Sequence, residues 1–268
     1  MLANNALSSA AVVLPLATSV PVGCHGLTTY GGRLPCLSFT HNPDSLYLLS
    51  TPLLMTSAEI SQRYQRLLTR SFARHLDLFL TTCYYRAPAD GLLAITSEAY
   101  EAFQPTREAW TVYLRSQQAK SFDALFVNTY TVGDLHHAIE AWETRSAAEM
   151  GKYRTIHRQQ CLPQAEFQGL FTAGERACSY CRITEAEFAQ LIADGQVQTR
   201  RLRTRGTTFE ADCREPWLGY APSHVTLCCY WCNNAKTDEF TPDEFQPVAN
   251  ALARVWRQRL DGIPSTRG

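Results

Sequence analysis

The chain is short of lysine, of net charge and of long hydrophobic runs. Only Lys120, Lys152 and Lys236 among its 25 basic residues are lysines, and 25 acidic residues balance the basic ones to a net charge of zero. A neutral chain has no overall field that attracts nucleic acid, so composition does not indicate such a partner. No stretch approaches the roughly 20 consecutive apolar residues of a transmembrane helix, and we expect no membrane partner.

The N-terminal region lacks the features of an exported protein. Residues 10–17 are apolar enough for the core of a signal peptide, but no lysine or arginine precedes Arg33. Cys24 suggests a lipoprotein site, yet Pro21 stands where such a site needs a branched apolar residue. We therefore expect a cytoplasmic protein with reduced thiols, which excludes a disulfide framework for its ten cysteines.

The first 165 residues have mainly helical patterns. The whole chain of 268 residues is 45% hydrophobic, enough for one large or two modest domains with a buried core. Thr56 and Glu59 form a capping box, and apolar residues follow it at helical spacing. Further helices are predicted over residues 107–119 and after Asp134. We interpret residues 1–165 as a mainly helical domain, whose role the sequence does not reveal.

Four histidines of this domain have no metal-ligand spacing with any partner: His75, His136, His137 and His157. We interpret them as surface residues or as hydrogen-bonded residues of the core.

Residues 166–268 combine helices with short strands. Thr184 and Glu187 form a second capping box, which begins a helix with an apolar stripe. A final helix is predicted to begin at Thr241, and we expect Pro247 to break it in two.

Four of the ten cysteines form two C-x-x-C pairs, Cys178/Cys181 and Cys229/Cys232, with 47 residues between them. Two cysteines at this spacing direct both thiolates to one ion, and four thiolates complete the tetrahedral shell of zinc. Two such pairs favour zinc over a redox motif or ordinary buried cysteines. A closed shell has no position for substrate, so we expect a structural zinc ion that this domain needs in order to fold. Cys228 is an alternative to Cys229, at a less suitable spacing from Cys232.

Two strands are predicted between the cysteine pairs, over residues 197–203 and 207–212, with a turn at Gly206. Alternate side chains of a strand share a face, so the arginines of this hairpin can form a row for phosphates. The alternative is a solvated basic edge strand that blocks aggregation. These arginines are Arg200, Arg201, Arg203 and Arg205. Carboxylates near the end of the second strand suit a divalent ion and equally suit salt bridges: Glu210, Asp212 and Glu215.

The order of these residues resembles the HNH endonuclease family. A C-x-x-C pair is followed by a hairpin ending in Asp212, a Gly219-Tyr220 loop, a strand, the second C-x-x-C pair and Asn233 at a helix start. The residues resemble a zinc-stapled subgroup with the signature C-x-x-C … G-Y … C-x-x-C-N-x-x-K, over about residues 171–260. The fold class that this implies is α+β.

The chain then divides in two. Helical patterns predict a mainly helical domain over residues 1–165, about which the resemblance says nothing. The resemblance implies a small, zinc-stapled ββα-metal domain with a C-terminal helix over residues 166–268. It implies DNA as a partner and places such proteins in mobile elements or phage defence. The helical domain is then available to a protein partner.

The activity that the resemblance implies is metal-dependent hydrolysis of DNA phosphodiester bonds. Asp212 and Asn233 would hold a catalytic Mg²⁺ or Mn²⁺ ion, which polarises the scissile phosphate. Lys236 and the hairpin arginines would contact phosphates. The family's general-base histidine would follow Asp212, but Cys213 stands there, and His224 occupies the place of the family's supporting asparagine. An imidazole suits proton abstraction near neutral pH, so His224 is the candidate base.

Two other functions stay open. A catalytically degenerate, zinc-stapled module that binds nucleic acid or protein is favoured by Cys213, by His224 and by the neutral net charge. A nucleophilic enzyme built on Cys213 and His224 is disfavoured, because the neighbouring Asp212 should raise the pKa of the thiol.

Overall fold

The computed structural model describes residues 55–121, 123–124, 130–197 and 209–262, all within one compact unit, residues 49–268. None of the helices described is long and apolar enough to cross a membrane. The predicted domain boundary after residue 165 stays a prediction. In chain order the helices and strands are α1 Ser57–Arg86, α2 Ser97–Glu101, α3 Arg107–Gln118, α4 Val132–Arg145, α5 Met150–Gln160, α6 Gln164–Thr172, α7 Glu185–Ala193, β1 Glu210–Cys213, β2 Val225–Cys228, α8 Tyr230–Lys236 and α9 Pro242–Leu260.

Threonine N-caps begin the predicted helices. The Thr56 hydroxyl accepts from the Glu59 N–H at 3.2 Å, and the Glu59 carboxylate accepts from the Thr56 N–H at 2.8 Å, which confirms the capping box. The same reciprocal pairing begins α7 at Thr184. The helix α4 begins before Asp134 rather than after it, because Thr131 is the N-cap and Asp134 closes its capping box.

The last helix, α9, runs without interruption for 19 residues, so the predicted break at Pro247 is wrong. Proline removes one backbone hydrogen bond of the helix, the one to the carbonyl of Asp243. Burial of Phe245, Ala249 and Trp256 against the core holds the helix together on both sides of that position.

The two strands form an antiparallel sheet in which Glu210 lies opposite Cys228 and Asp212 opposite Thr226. The strand β1 overlaps the predicted strand at 207–212 but is displaced towards Cys213. Its partner, β2, is the strand that leads to the second cysteine pair, across the loop of residues 214–224. Residues 198–208 lie outside the described residues, and with them most of the predicted first strand.

The long helix α1 contributes to three hydrophobic clusters, one of which joins Leu78 to residues of α3. Near its start, Ile60, Tyr64 and Leu68 pack in one cluster with the four cysteines of the C-x-x-C pairs. Further along, Leu76 and Leu80 pack in a second cluster with α2, α4 and α5. The helix α1 therefore links the sheet and its cysteines to the helical part of the unit. The side chains on one side of α1 are those that face the sheet.

Candidate metal centre and adjoining cleft

The four cysteines of the C-x-x-C pairs meet at one point. All are buried, and their sulfur atoms lie within 4.8 Å of one another. The sulfurs of Cys181 and Cys229 are 3.7 Å apart, and ligands about 2.3 Å from a tetrahedral zinc ion are about 3.8 Å apart. The donors and their spacing fit zinc, and the cluster contains Cys229 rather than Cys228.

Tight backbone turns direct these thiols. The Cys178 N–H donates to the Ile183 carbonyl at 2.8 Å, and the Arg182 N–H donates to the Cys178 carbonyl at 3.0 Å. Arg182 has a φ of 64°, a left-handed conformation that is uncommon for a residue with a side chain and that closes the turn. Cys229 is the N-cap of α8, and its sulfur accepts the Cys232 N–H at 3.5 Å.

The ionisation of one of these thiols affects the pKa of the other three. Hydrogen bonds from the other three thiols lower the pKa of Cys178, and hydrogen bonding to Cys178 raises the pKa of Cys229 and of Cys232. All four can ionise together only with a cation between them, and thiolate ligands displace their protons when they bind a metal. The four thiols could therefore hold a divalent cation, which is consistent with structural zinc.

Asp212 and Lys236 form a buried ion pair inside the sheet–helix unit. Lys236 is fully buried, and its Nζ lies 3.4 Å from Oδ2 of Asp212. The ammonium also donates to the Cys213 carbonyl at 2.9 Å, and the Tyr180 hydroxyl donates to Oδ2 of Asp212 at 2.5 Å. Burial raises the pKa of Asp212, while the Lys236 charge lowers it. Lys236, expected to contact phosphate, instead binds Asp212 and the backbone of β1 and is closed off from solvent.

Asn233 contacts a different carboxylate from the one expected. Its Nδ2 donates to Oε2 of Glu210 at 2.5 Å. Both side chains are half-buried and line a cleft, whose lining does not include Asp212. The sequence marked Glu210 only as one of several carboxylates. The signal for it was the strand period, since Glu210 and Asp212 share a face of β1.

Cys213 and His224 do not form a reactive pair. The Cys213 thiol donates to the Gly219 carbonyl at 2.6 Å, and burial raises its pKa to about 12. Such a thiol stays protonated at neutral pH and is a poor nucleophile. The backbone of His224 bonds to Ala221 and Arg214, and its ring does not line the cleft next to Glu210.

The cleft beside Glu210 and Asn233 has a volume of about 570 Å³ and lies between α1 and the sheet. One wall is a row of four arginines on α1, and Trp217 and Tyr220 also line the cleft. Sequence reasoning missed this arginine row, although its spacing of three, four and four residues is that of one helix face. The row consists of Arg63, Arg66, Arg70 and Arg74. The arginines expected to bind phosphate, Arg200, Arg201, Arg203 and Arg205, lie outside the described residues.

Comparisons with known proteins give little more. No family model matches the chain, and no curated protein matches it. A solved structure of the HNH restriction endonuclease PacI, described as rare-cutting, is similar to it at 21% sequence identity and a TM-score of 0.31. The similarity covers 53% of this chain and 90% of that chain. A TM-score this low does not establish a shared fold.

Proposed function

We propose that this chain is a metal-dependent endonuclease that hydrolyses DNA phosphodiester bonds, with β1, β2 and α8 as its catalytic unit. The observation that carries the proposal is the place of the Glu210–Asn233 pair. It lies beside a four-cysteine metal centre and lines a cleft whose opposite wall is a row of arginines. Arginines attract a phosphate, and a carboxylate beside that phosphate needs a cation to offset the repulsion.

Glu210 and Asn233 are the side chains that would hold a catalytic Mg²⁺ or Mn²⁺ ion, since both offer the oxygen ligands that these ions prefer. Asn233 donates to Glu210 through its amide nitrogen, and a turn of that amide presents its oxygen instead. A divalent ion at this place polarises the scissile phosphate and stabilises the charge on the leaving oxygen.

Asp212 and His224 take different places in this proposal. Asp212 is assigned to holding Lys236 and β1 together, because its carboxylate faces the interior. The ring of His224, the general base that the sequence predicts, does not line the cleft, so this proposal assigns no residue of the cleft as general base.

Plasmid nicking by the purified, zinc-loaded protein tests the proposal. Wild type should nick supercoiled DNA with Mg²⁺ or Mn²⁺, and Glu210→Gln should lower the rate by about 100-fold, because a neutral amide is a weaker metal ligand. Glu239→Gln is the matched control, since Glu239 is exposed and outside the cleft lining. Its rate should equal that of wild type. The proposal fails if wild type cuts neither supercoiled, single-stranded nor branched DNA with either ion.

A catalytically degenerate module that binds nucleic acid or protein is the second candidate. It is favoured by Cys213, which stands where a general base is expected and whose thiol is held by the Gly219 carbonyl. Such a module would bind DNA with no cleavage that depends on a divalent ion. Glu210→Gln would then leave that binding unchanged.

A further inference from the structure

We propose that the arginine row of α1 binds the phosphodiester backbone of a single nucleic-acid strand that passes through the cleft. The row is Arg63, Arg66, Arg70 and Arg74. This inference rests on the proposed function and deepens it. It assigns the substrate's backbone to a helix that lies outside residues 171–260, the region that resembles the HNH family.

The row has the length of a contact with several phosphates. Its members lie on one face of α1, and at about 1.5 Å per residue they extend for about 16 Å. One strand carries a phosphate about every 3.4 Å along the axis of a duplex, so the row can follow several successive phosphates. Guanidinium groups bind phosphate oxygens in a bidentate manner.

Two members of the row keep their charge available. Arg70 is exposed, and its guanidinium makes no hydrogen bond or ion pair with another residue that the structure describes. Arg66 is also exposed, and its guanidinium donates to the neutral side chain of Gln62 at 2.6 Å. Neither positive charge has an acidic partner within the described ranges.

The ends of the row are held in place. The Arg63 guanidinium donates to the Phe209 carbonyl at 3.3 Å, next to the start of β1. Arg74 pairs with Asp238 at 3.4 Å, with both side chains about half exposed, and an ion pair of this kind is easily exchanged for a phosphate. Glu210 is the acidic group in the cleft lining, and it lies at the proposed ion site.

The size and lining of the cleft favour one strand. A volume of about 570 Å³ is that of a site for a small ligand, so the cleft has room for a few groups of one strand and not for a whole duplex. Two partly buried aromatic residues, Trp217 and Tyr220, also line the cleft. Arginines along a backbone, with aromatic rings for the bases, are typical of single-strand binding.

The test measures binding of a fluorescein-labelled oligothymidylate by anisotropy, over a range of salt concentrations and without added divalent ions. The double variant Arg66→Gln/Arg70→Gln should bind about 25-fold more weakly at 0.1 M salt, and the slope of log K against log salt should fall by about 1.4, or about 0.7 for each lost contact. Both residues are exposed, so the fold should survive. Arg254→Gln is the control, on α9 and outside the cleft lining, and it should bind as wild type does.

The possible results of the binding and nicking experiments separate the two proposals. An unchanged slope in the double variant, or no binding by wild type, overturns the arginine row. Tighter binding of a duplex than of the single strand, with the same loss of slope, overturns the single-strand assignment. Because binding is measured without the catalytic ion, arginine-dependent binding by a protein that never nicks DNA supports the row and refutes the nuclease. If wild type nicks DNA but the double variant has an unchanged salt slope, the nuclease is supported and the arginine row is refuted.

Discussion

Replacing Asp212 by asparagine should destabilise the fold instead of removing a catalytic group. The substitution leaves the ammonium of Lys236 fully buried with no opposite charge, because its other partner is the neutral carbonyl of Cys213. Tyr180 would also exchange a charged acceptor for a neutral one. Removing one partner of a buried ion pair costs about 3–5 kcal/mol of the free energy of unfolding.

The magnitude follows from burial. The side chains of Asp212 and Lys236 are 9% and 0% exposed, so water screens neither charge. The pair Arg74–Asp238 has the same 3.4 Å separation, but its side chains are 44% and 53% exposed. Exposed pairs contribute about 0–1 kcal/mol. Asp238→Asn is therefore the matched control, and it should change the stability by less than about 1 kcal/mol.

Urea unfolding of the zinc-loaded protein, followed by tryptophan fluorescence and circular dichroism, measures the effect. Asp212→Asn should lower the midpoint with little change in the slope m. The double variant Asp212→Leu/Lys236→Met removes both charges, and apolar replacement of a buried pair is often neutral or stabilising. Its free energy of unfolding should therefore be much closer to that of wild type than that of Asp212→Asn.

The opposite pattern would refute this reasoning. If Asp212→Asn costs less than about 1 kcal/mol and yet abolishes nicking, Asp212 acts in catalysis, as its place in the sequence signature indicates. If the double variant is as unstable as the single one, the uncompensated charge of Lys236 is not the cause. An activity assay alone cannot separate these cases, because an unfolded variant is also inactive.

Three further predictions concern the metal, the pH and one proline. Cys232→Ser should lower the zinc content from about one ion per chain to near zero and unfold the sheet and α8, as measured by metal analysis and circular dichroism. Lowering the pH from 7.5 to 5 should destabilise the fold by up to about 2 kcal/mol for each of His75 and His157. Burial lowers their pKa from 6.5 to about 3 and about 4, so the unfolded chain takes up protons that the folded one excludes. Asp77, whose pKa burial raises to about 6, offsets part of this loss. Pro247→Ala should raise the free energy of unfolding by about 1–3 kcal/mol in urea, because it restores a backbone hydrogen bond in α9.

Controls separate these effects from general instability. Cys83→Ser changes a half-buried cysteine outside the metal cluster and should keep the zinc. His136→Gln changes an exposed histidine and is the matched control for variants of the two buried ones. A fold equally stable at pH 7.5 and pH 5 contradicts the argument from His75 and His157. An unchanged midpoint for Pro247→Ala shows that the helix has already adapted to the proline.

Local sequence patterns correctly predicted the features that depend on a few neighbouring residues, such as helix starts and the C-x-x-C pairs. A capping box involves residues three apart, so Thr56 and Thr184 mark helix starts without knowledge of the rest of the fold. The C-x-x-C spacing predicted the four-cysteine cluster for a similar reason. The arginine row of α1 was visible as a spacing, but only packing brings that face to the sheet. Likewise, a loop of eleven residues, 214–224, separates the paired strands, and no short-range rule gives that pairing.

The choice between Glu210 and Asp212 shows why a sequence signature is not enough to assign the site. Asn233 and Lys236 are three residues apart on α8 and share a helix face, while Glu210 and Asp212 are two apart on β1 and share a strand face. Asn233 pairs with Glu210 and Lys236 with Asp212. The second pair is closed off from water and must keep its charges matched. The Glu210–Asn233 pair lines the cleft, where it can exchange its internal hydrogen bond for an ion. The two pairs therefore differ in burial, and burial cannot be read from the spacing of residues in the sequence.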